Sequence, residues 1–318
     1  MKKIVIFGGG SGLSQILKGL KLFPVDVTAV VSVSDNGRST GRLRKDYNIP
    51  AVGDITKVLL SMSDCDNDIR NLMNYRFEKS KSLGNHSIKN LLLTALLDEK
   101  GDFDNALPVM EKLLKVKGSV LPLTNDNVDL VGISVDGKKY VGEVEITEAK
   151  KKMARIFYSD EITVNPKVID AVKKADLILF CSGSLITSIL PHLLNRKLNS
   201  VIKENKKAKR MYLCNLFTQP GETDDFKVSD HIKLLETYLG KNSIDLVIAN
   251  SGKMSSKLLE KYQNEEQKDQ VILDEDELMK MNKKVIKDKL YKIEDGYYRH
   301  DSLKTAYLIF SYLMDGLR

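Results

Sequence analysis

Ile4-Val5-Ile6-Phe7-Gly8-Gly9-Gly10-Ser11-Gly12-Leu13-Ser14-Gln15-Ile16-Leu17 is the stretch whose reading decides the fold class. Residues 4–7 are apolar on both faces of an extended chain, as in a parallel strand covered on both sides. The glycines then turn the chain, and Leu13, Ile16, Leu17 and Leu20 recur at helical spacing. Similar buried strands are predicted at 27–33, 176–181, 210–215 and 244–250, and helices at 13–22, 165–174, 185–194 and 228–238. Repeated strand and helix in that order predict an α/β fold, a Rossmann-like, doubly wound, mostly parallel sheet. Residues 128–135 and 139–146 alternate instead around Asp136-Gly137, a hairpin dipeptide. They read as a small β-hairpin excursion at about 118–165 within one domain spanning 1–318. Residues 55–114 read mostly as helix, 263–270 as a charged surface loop, and 302–313 as a final amphipathic helix.

Composition narrows the function classes. Hydrophobic residues make up 42% and charged residues 29%, so the chain is expected to fold. Its formal net charge of +7 suits a solvated surface or an anionic small ligand. The basic run at 203–210 has no interleaved aromatics, so no nucleic acid is expected as a partner. Cys65, Cys181 and Cys214 lack paired metal spacing, and the odd count argues against a disulfide framework. The expected location is cytoplasmic, with no transmembrane segment, because no apolar run approaches spanning length.

In an open parallel sheet, ligands bind beyond the carboxyl ends of the strands. Those ends are Gly8 to Gly12, Ser34-Asp35-Asn36-Gly37, Ser182-Gly183-Ser184, Asn215 and Asn250, all small or polar. Glycines let backbone N–H groups approach phosphate oxygens while the following helix supplies its positive end; a tight turn with no ligand is the alternative. The spacing departs from G-x-G-x-x-G, and no Walker lysine follows. Asp35 stands where a Rossmann protein places its ribose acid, but Asn36-Gly37-Arg38-Ser39-Thr40-Gly41-Arg42 suits phosphate wrapping, or cation binding through Asp35. Asp54 is either an N-cap or a second acid for Mg²⁺. The 84–87 loop is an anion site or a Ser87 cap, and 218–223 is a substrate loop or a plain turn. Arg299 is a ligand candidate because a guanidinium grips phosphate through two bonds. His192 and His231 read as surface or capping residues.

Together Gly8-Gly9-Gly10-Ser11-Gly12-Leu13, the 35–44 loop, Gly53-Asp54-Ile55, Asn90-Leu91-Leu92, Gly183-Ser184-Leu185-Ile186-Thr187-Ser188 and Asn215-Leu216-Phe217-Thr218-Gln219-Pro220-Gly221-Glu222-Thr223 resemble the YvcK/CofD family, most closely its YvcK branch of gluconeogenesis factors. The resemblance implies a Rossmann-like homodimer with a nucleotide at the strand ends. It implies a UDP-sugar such as UDP-N-acetylglucosamine and a regulatory role in carbon metabolism, cell-wall synthesis and cell shape. The expected nucleotide and sugar contacts are Gly8 to Leu13, Asp35, Asn36, Arg38, Ser39, Gly183, Ser184, Asn215, Thr218, Gln219 and Asn250, with Tyr262 and Arg299 matching the branch's ligand-contact motifs. The alternative is a CofD-like, Mg²⁺-dependent transferase of a phospholactyl-type group, with Asp35 and Asp54 as weak catalytic and metal candidates. Where the family commonly has Asp-Asp-Gly-Gly-Ser-Ser-Gly, this chain has Asp35-Asn36-Gly37-Arg38-Ser39-Thr40-Gly41, one carboxylate fewer and one arginine more. Ser302, near Arg299, reads as an accessible serine and a phosphorylation candidate.

Overall fold

In β1 (Lys2–Gly8), Ile4 and Ile6 point into one apolar core and Val5 and Phe7 into another. Such a strand has to sit mid-sheet with helices on both sides. In the computed structural model, which describes residues 1–80 and 82–315, β1 does so. It pairs in parallel with β2 (Val25–Val31), which pairs with β3 (Ser119–Pro122) at the edge. A separate antiparallel sheet holds β4 (Leu130–Ser134), β5 (Lys139–Val141) and β6 (Met153–Tyr158), with β4 in the centre. The chain then returns to the other side of β1 as β7 (Leu177–Phe180), followed outward by β8 (Lys209–Leu213), β9 (Leu246–Asn250) and β10 (Lys284–Asp288). The seven-stranded order is thus β10-β9-β8-β7-β1-β2-β3, parallel throughout. A ribbon of β11 (Tyr291–Glu294) and β12 (Tyr297–His300) leads into the last helix, Ser302–Asp315.

The helices α1 (Gly10–Leu20), α2 (Arg38–Tyr47) and α3 (Gly53–Met62) pack their apolar residues on the face that includes Ile4 and Ile6. Helices Pro166–Lys174, Arg196–Glu204 and Val228–Leu239 cover the opposite face. The sheet is therefore doubly wound, as the strand pattern implied. Among the described residues no helix is long and apolar enough to cross a membrane.

Four local readings change. Residues from 118 do not all belong to the excursion, because β3 extends the main sheet. The second excursion strand stops at Val141, because Gly142 turns with φ +94° and Glu143–Glu148 becomes helical. The Asn36 side chain fixes that turn, its Oδ1 accepting from Val144 N at 3.1 Å. Residues 263–266, read as loop, finish the helix Ser256–Glu266. His192 and His231 are buried rather than superficial; His192 Nε2 donates to Gly8 O at 3.2 Å, and burial lowers its pKa to about 4, so the ring is neutral.

The last helix seats against α1 at Gly19, where a Cβ would lie 2.1 Å from Ser302 O and 2.9 Å from the Ala306 methyl. Ser302 is consequently buried, with its hydroxyl unpartnered among the described residues, which removes the accessibility expected for phosphorylation. The Gly19→Ala variant is expected to lose about 1–3 kcal/mol, the usual cost of overpacking, in urea unfolding.

Candidate functional site

From β1 the chain crosses to one face through α1, and from β7 it crosses to the other face through a helical segment beginning at Leu185. Two neighbouring parallel strands whose connections diverge leave a crevice at their carboxyl ends. Here that crevice is a cleft of 1020 Å³, ample for a nucleotide-sized ligand. Its floor depends on a close approach: a Cβ on Gly12 would lie 2.1 Å from Ser182 O, so only glycine lets α1 start against the β7 loop. Asn215, just after β8, pairs with both backbone groups of Gly183, accepting from its N–H at 2.9 Å and donating to its carbonyl at 2.7 Å. His192 anchors the same floor from below through Gly8 O.

The cleft gathers Gly9, Gly10, Ser11, Gly12, Asp35, Asp54, Gly183, Ser184, Asn215, Thr218, Gln219, Tyr262 and Arg299 from loops far apart in sequence. Other expected contacts have different positions. Gly8 and Leu13 are buried beneath the loop. Asn36 fixes the Gly142 turn, and Ser39 Oγ meets His86 Nδ1 at 2.7 Å. Asn250 Oδ1 accepts from Gly252 N and Leu290 N, tying β9 to the segment before β11. The side chain of Arg38 lies outside the described residues. Ser87 occupies a helix N-cap position without making a side-chain cap bond, and its loop is not part of the cleft lining.

The model of the family described as "2-phospho-L-lactate transferase CofD" matches residues 4–291. A "Gluconeogenesis factor" of Bacillus subtilis is 42% identical over 315 residues, covering 98% of each chain. One from Halalkalibacterium halodurans is 38% identical, covering 96% of this chain and 94% of that one. The chain belongs to the YvcK/CofD family. A crystal structure of a Bacillus halodurans protein superposes with a TM-score of 0.93 at 38% identity, covering 97% of this chain and 99% of that one.

Within this family fold, the cleft has unlike walls. On one side the partly buried Asp54 sets its carboxylate against the glycine loop: a Cβ on Gly9 would meet Asp54 Oδ2 at 2.9 Å. Burial raises the Asp54 pKa, nearby Asp35 adds to the rise, and Lys57 and the Gly10 N–H oppose it. The positive end of α1 thus already faces a carboxyl, while Ser11, Gly12 and the β7 loop line the open cleft. On the opposite wall Tyr262 stacks on Phe217 with ring centroids 4.1 Å apart, and its hydroxyl accepts from Tyr298 N at 2.8 Å. That hydrogen bond and the stack hold an aromatic shelf in place. Arg299 is exposed at its rim, 5.5 Å over the Tyr297 ring, and makes no ion pair among the described residues.

Asp35 and Asp54 share the cleft, but no group of three or more His, Cys, Asp or Glu side chains is placed to hold a metal ion among the described residues. Asp35 Oδ1 already accepts from Gly37 N at 2.8 Å, and Asp54 is desolvated. This pair does not fit a dedicated Mg²⁺ cage.

Sequence reasoning did not find Glu143, Glu222 as an anchor of Ser184, Phe217 as part of the shelf, or Lys268. Glu143 reaches the cleft from the short helix between β5 and β6, where nothing in the local sequence distinguishes it from a surface acid. The position of Asn215 carries its own expectation. Asn215→Ala should cost about 1–3 kcal/mol by leaving two Gly183 backbone groups unpaired, and urea unfolding should register it.

Proposed function

We propose that the cleft binds a UDP-sugar such as UDP-N-acetylglucosamine, and that the protein acts as a regulator linked to carbon metabolism, cell-wall synthesis and cell shape. The observation that carries the reading is the pairing of two surfaces across one cleft: small backbone-rich loops from Ser11 to Gly12 and at Gly183, and the Phe217–Tyr262 shelf with Arg299 at its rim. The loops suit a diphosphate, the shelf suits a base or sugar, and the guanidinium adds the positive charge. The names of the relatives support a gluconeogenesis-linked role. A cytoplasmic location and a homodimer belong to the same proposal.

The family description favours a second reading, transfer of a phospholactyl-type group from an activated nucleotide. It requires product formation, which simple binding does not. Calorimetric titration with UDP-N-acetylglucosamine is expected to give saturable binding, weakened at least about tenfold in Arg299→Ala by loss of a charge-assisted contact. No heat of binding from the wild type overturns the UDP-sugar reading. Turnover of an activated phospholactyl nucleotide with a deazaflavin acceptor selects the second.

A further inference from the structure

Two partly buried carboxyl groups, Glu143 and Glu222, are joined by a continuous chain of hydroxyls. Glu143 Oε1 lies 3.2 Å from Thr187 Oγ1, Thr187 Oγ1 lies 2.8 Å from Ser184 Oγ, and Ser184 Oγ lies 2.8 and 2.7 Å from the two Glu222 oxygens. The Thr187 N–H also donates to Ser184 Oγ at 2.9 Å. This geometry can be counted in protons. Three links join four side chains, each link needs one proton, and each hydroxyl carries only one. Thr187 and Ser184 therefore supply two of the three. With both carboxyls ionised, one link would set oxygen lone pairs against each other at hydrogen-bond distance.

We infer that the Glu143–Thr187–Ser184–Glu222 chain holds one additional proton, resident on Glu143, and that this neutral acid offers its other oxygen to the cleft as a hydrogen-bond acceptor. In that state Glu143 donates to Thr187, Thr187 to Ser184, and Ser184 to the Glu222 carboxylate. A concerted shift of three protons moves the extra proton to Glu222, reverses every donor and leaves Glu143 ionised, with no atom or charge gained or lost. In either position all three protons are taken up by the links, so what Glu143 offers a cleft ligand is an oxygen lone pair.

The surroundings decide which end holds the proton. Asp35, from the loop after β2, and Asp54, from α3, disfavour a charge on Glu143, as does Glu222 itself. On the same helix Glu145 turns away to accept from Val141 N at 3.0 Å. Burial raises the Glu222 pKa as well, but the Ser184 hydroxyl, Ile186 N at 3.3 Å and Lys268 oppose the rise, so of the two carboxyls Glu222 is the better supported as the ionised one. Burial first, then the two aspartates, raises the Glu143 pKa to about 8. The ordinary glutamate value is lower, so across the intervening window the folded chain keeps a proton that the unfolded chain releases. Stability from this group is lost as pH rises through about 8.

The residence of the proton is testable without any ligand, by carbon NMR of protein labelled at the glutamate carboxyls. The expected result is one resonance titrating near pH 8 that is missing from Glu143→Gln, together with a flatter stability–pH profile in that variant, whose amide still donates to Thr187. If no glutamate in the wild type titrates above neutral pH, the inference is overturned, whether or not the variant folds. The role toward a ligand rests on the proposed UDP-sugar site and has its own readout. Glu143→Ala should weaken UDP-N-acetylglucosamine at least tenfold and Glu143→Gln less than threefold. Equal weakening by both, with the NMR result intact, rejects only the contact of this oxygen with the ligand, and absence of wild-type binding rejects only the UDP-sugar reading.

Discussion

The close approach of Gly12 to the Ser182 carbonyl is the constraint on which the rest of this structure depends. It joins the loops of two adjacent parallel strands whose helices leave toward opposite faces, so the crevice at the switch point has a floor as well as walls. A methyl group there would push α1 away from the β7 loop. Around that contact, Asn215 holds Gly183 through both of its backbone groups and His192 holds Gly8. The glycine loop and the β7 loop of the cleft are thereby fixed relative to one another. The glycines therefore serve packing first, and only the part not already faced by Asp54 is open to a ligand.

The two cleft walls have different physical character. The loop wall is polar and rich in backbone; the aromatic wall forms a small cluster of Leu216, Tyr262, Tyr291 and Tyr298 built around the β11–β12 ribbon. Gly19 matters to this wall as well, because it lets the last helix lie against α1 directly after β12. Desolvation and neighbouring carboxylates raise the pKa values of Asp54 and Glu143, and for Glu143, at about 8, this favours the neutral form. An anionic ligand then meets less negative charge than a count of acidic residues suggests.

Much of this was legible in the sequence. Residues 4–7 declared a strand buried on both faces, and the recurrence of that pattern gave the sheet its class. The small and polar strand ends located the cleft at Gly9 to Gly12, Gly183, Asn215 and Thr218. What stayed hidden depended on tertiary placement. Asn36 and Asn250 look like ligand donors because they follow strands, but nearby backbone N–H groups take their side chains. Nothing local marks Glu143, because its hydrogen-bond partner Thr187 and the neighbouring charges of Asp35 and Asp54 are all distant in sequence. His192 reads as a helix-face residue until its contact with Gly8 is seen.

Hydrogen exchange measured with and without UDP-N-acetylglucosamine tests the central claim most directly, because the cleft is assembled from separate loops. Binding at the switch point predicts simultaneous protection after β1, after β7 and after β8, together with the β11–β12 ribbon that carries Arg299. Protection confined to another surface, or binding that leaves these segments unchanged, would contradict the account.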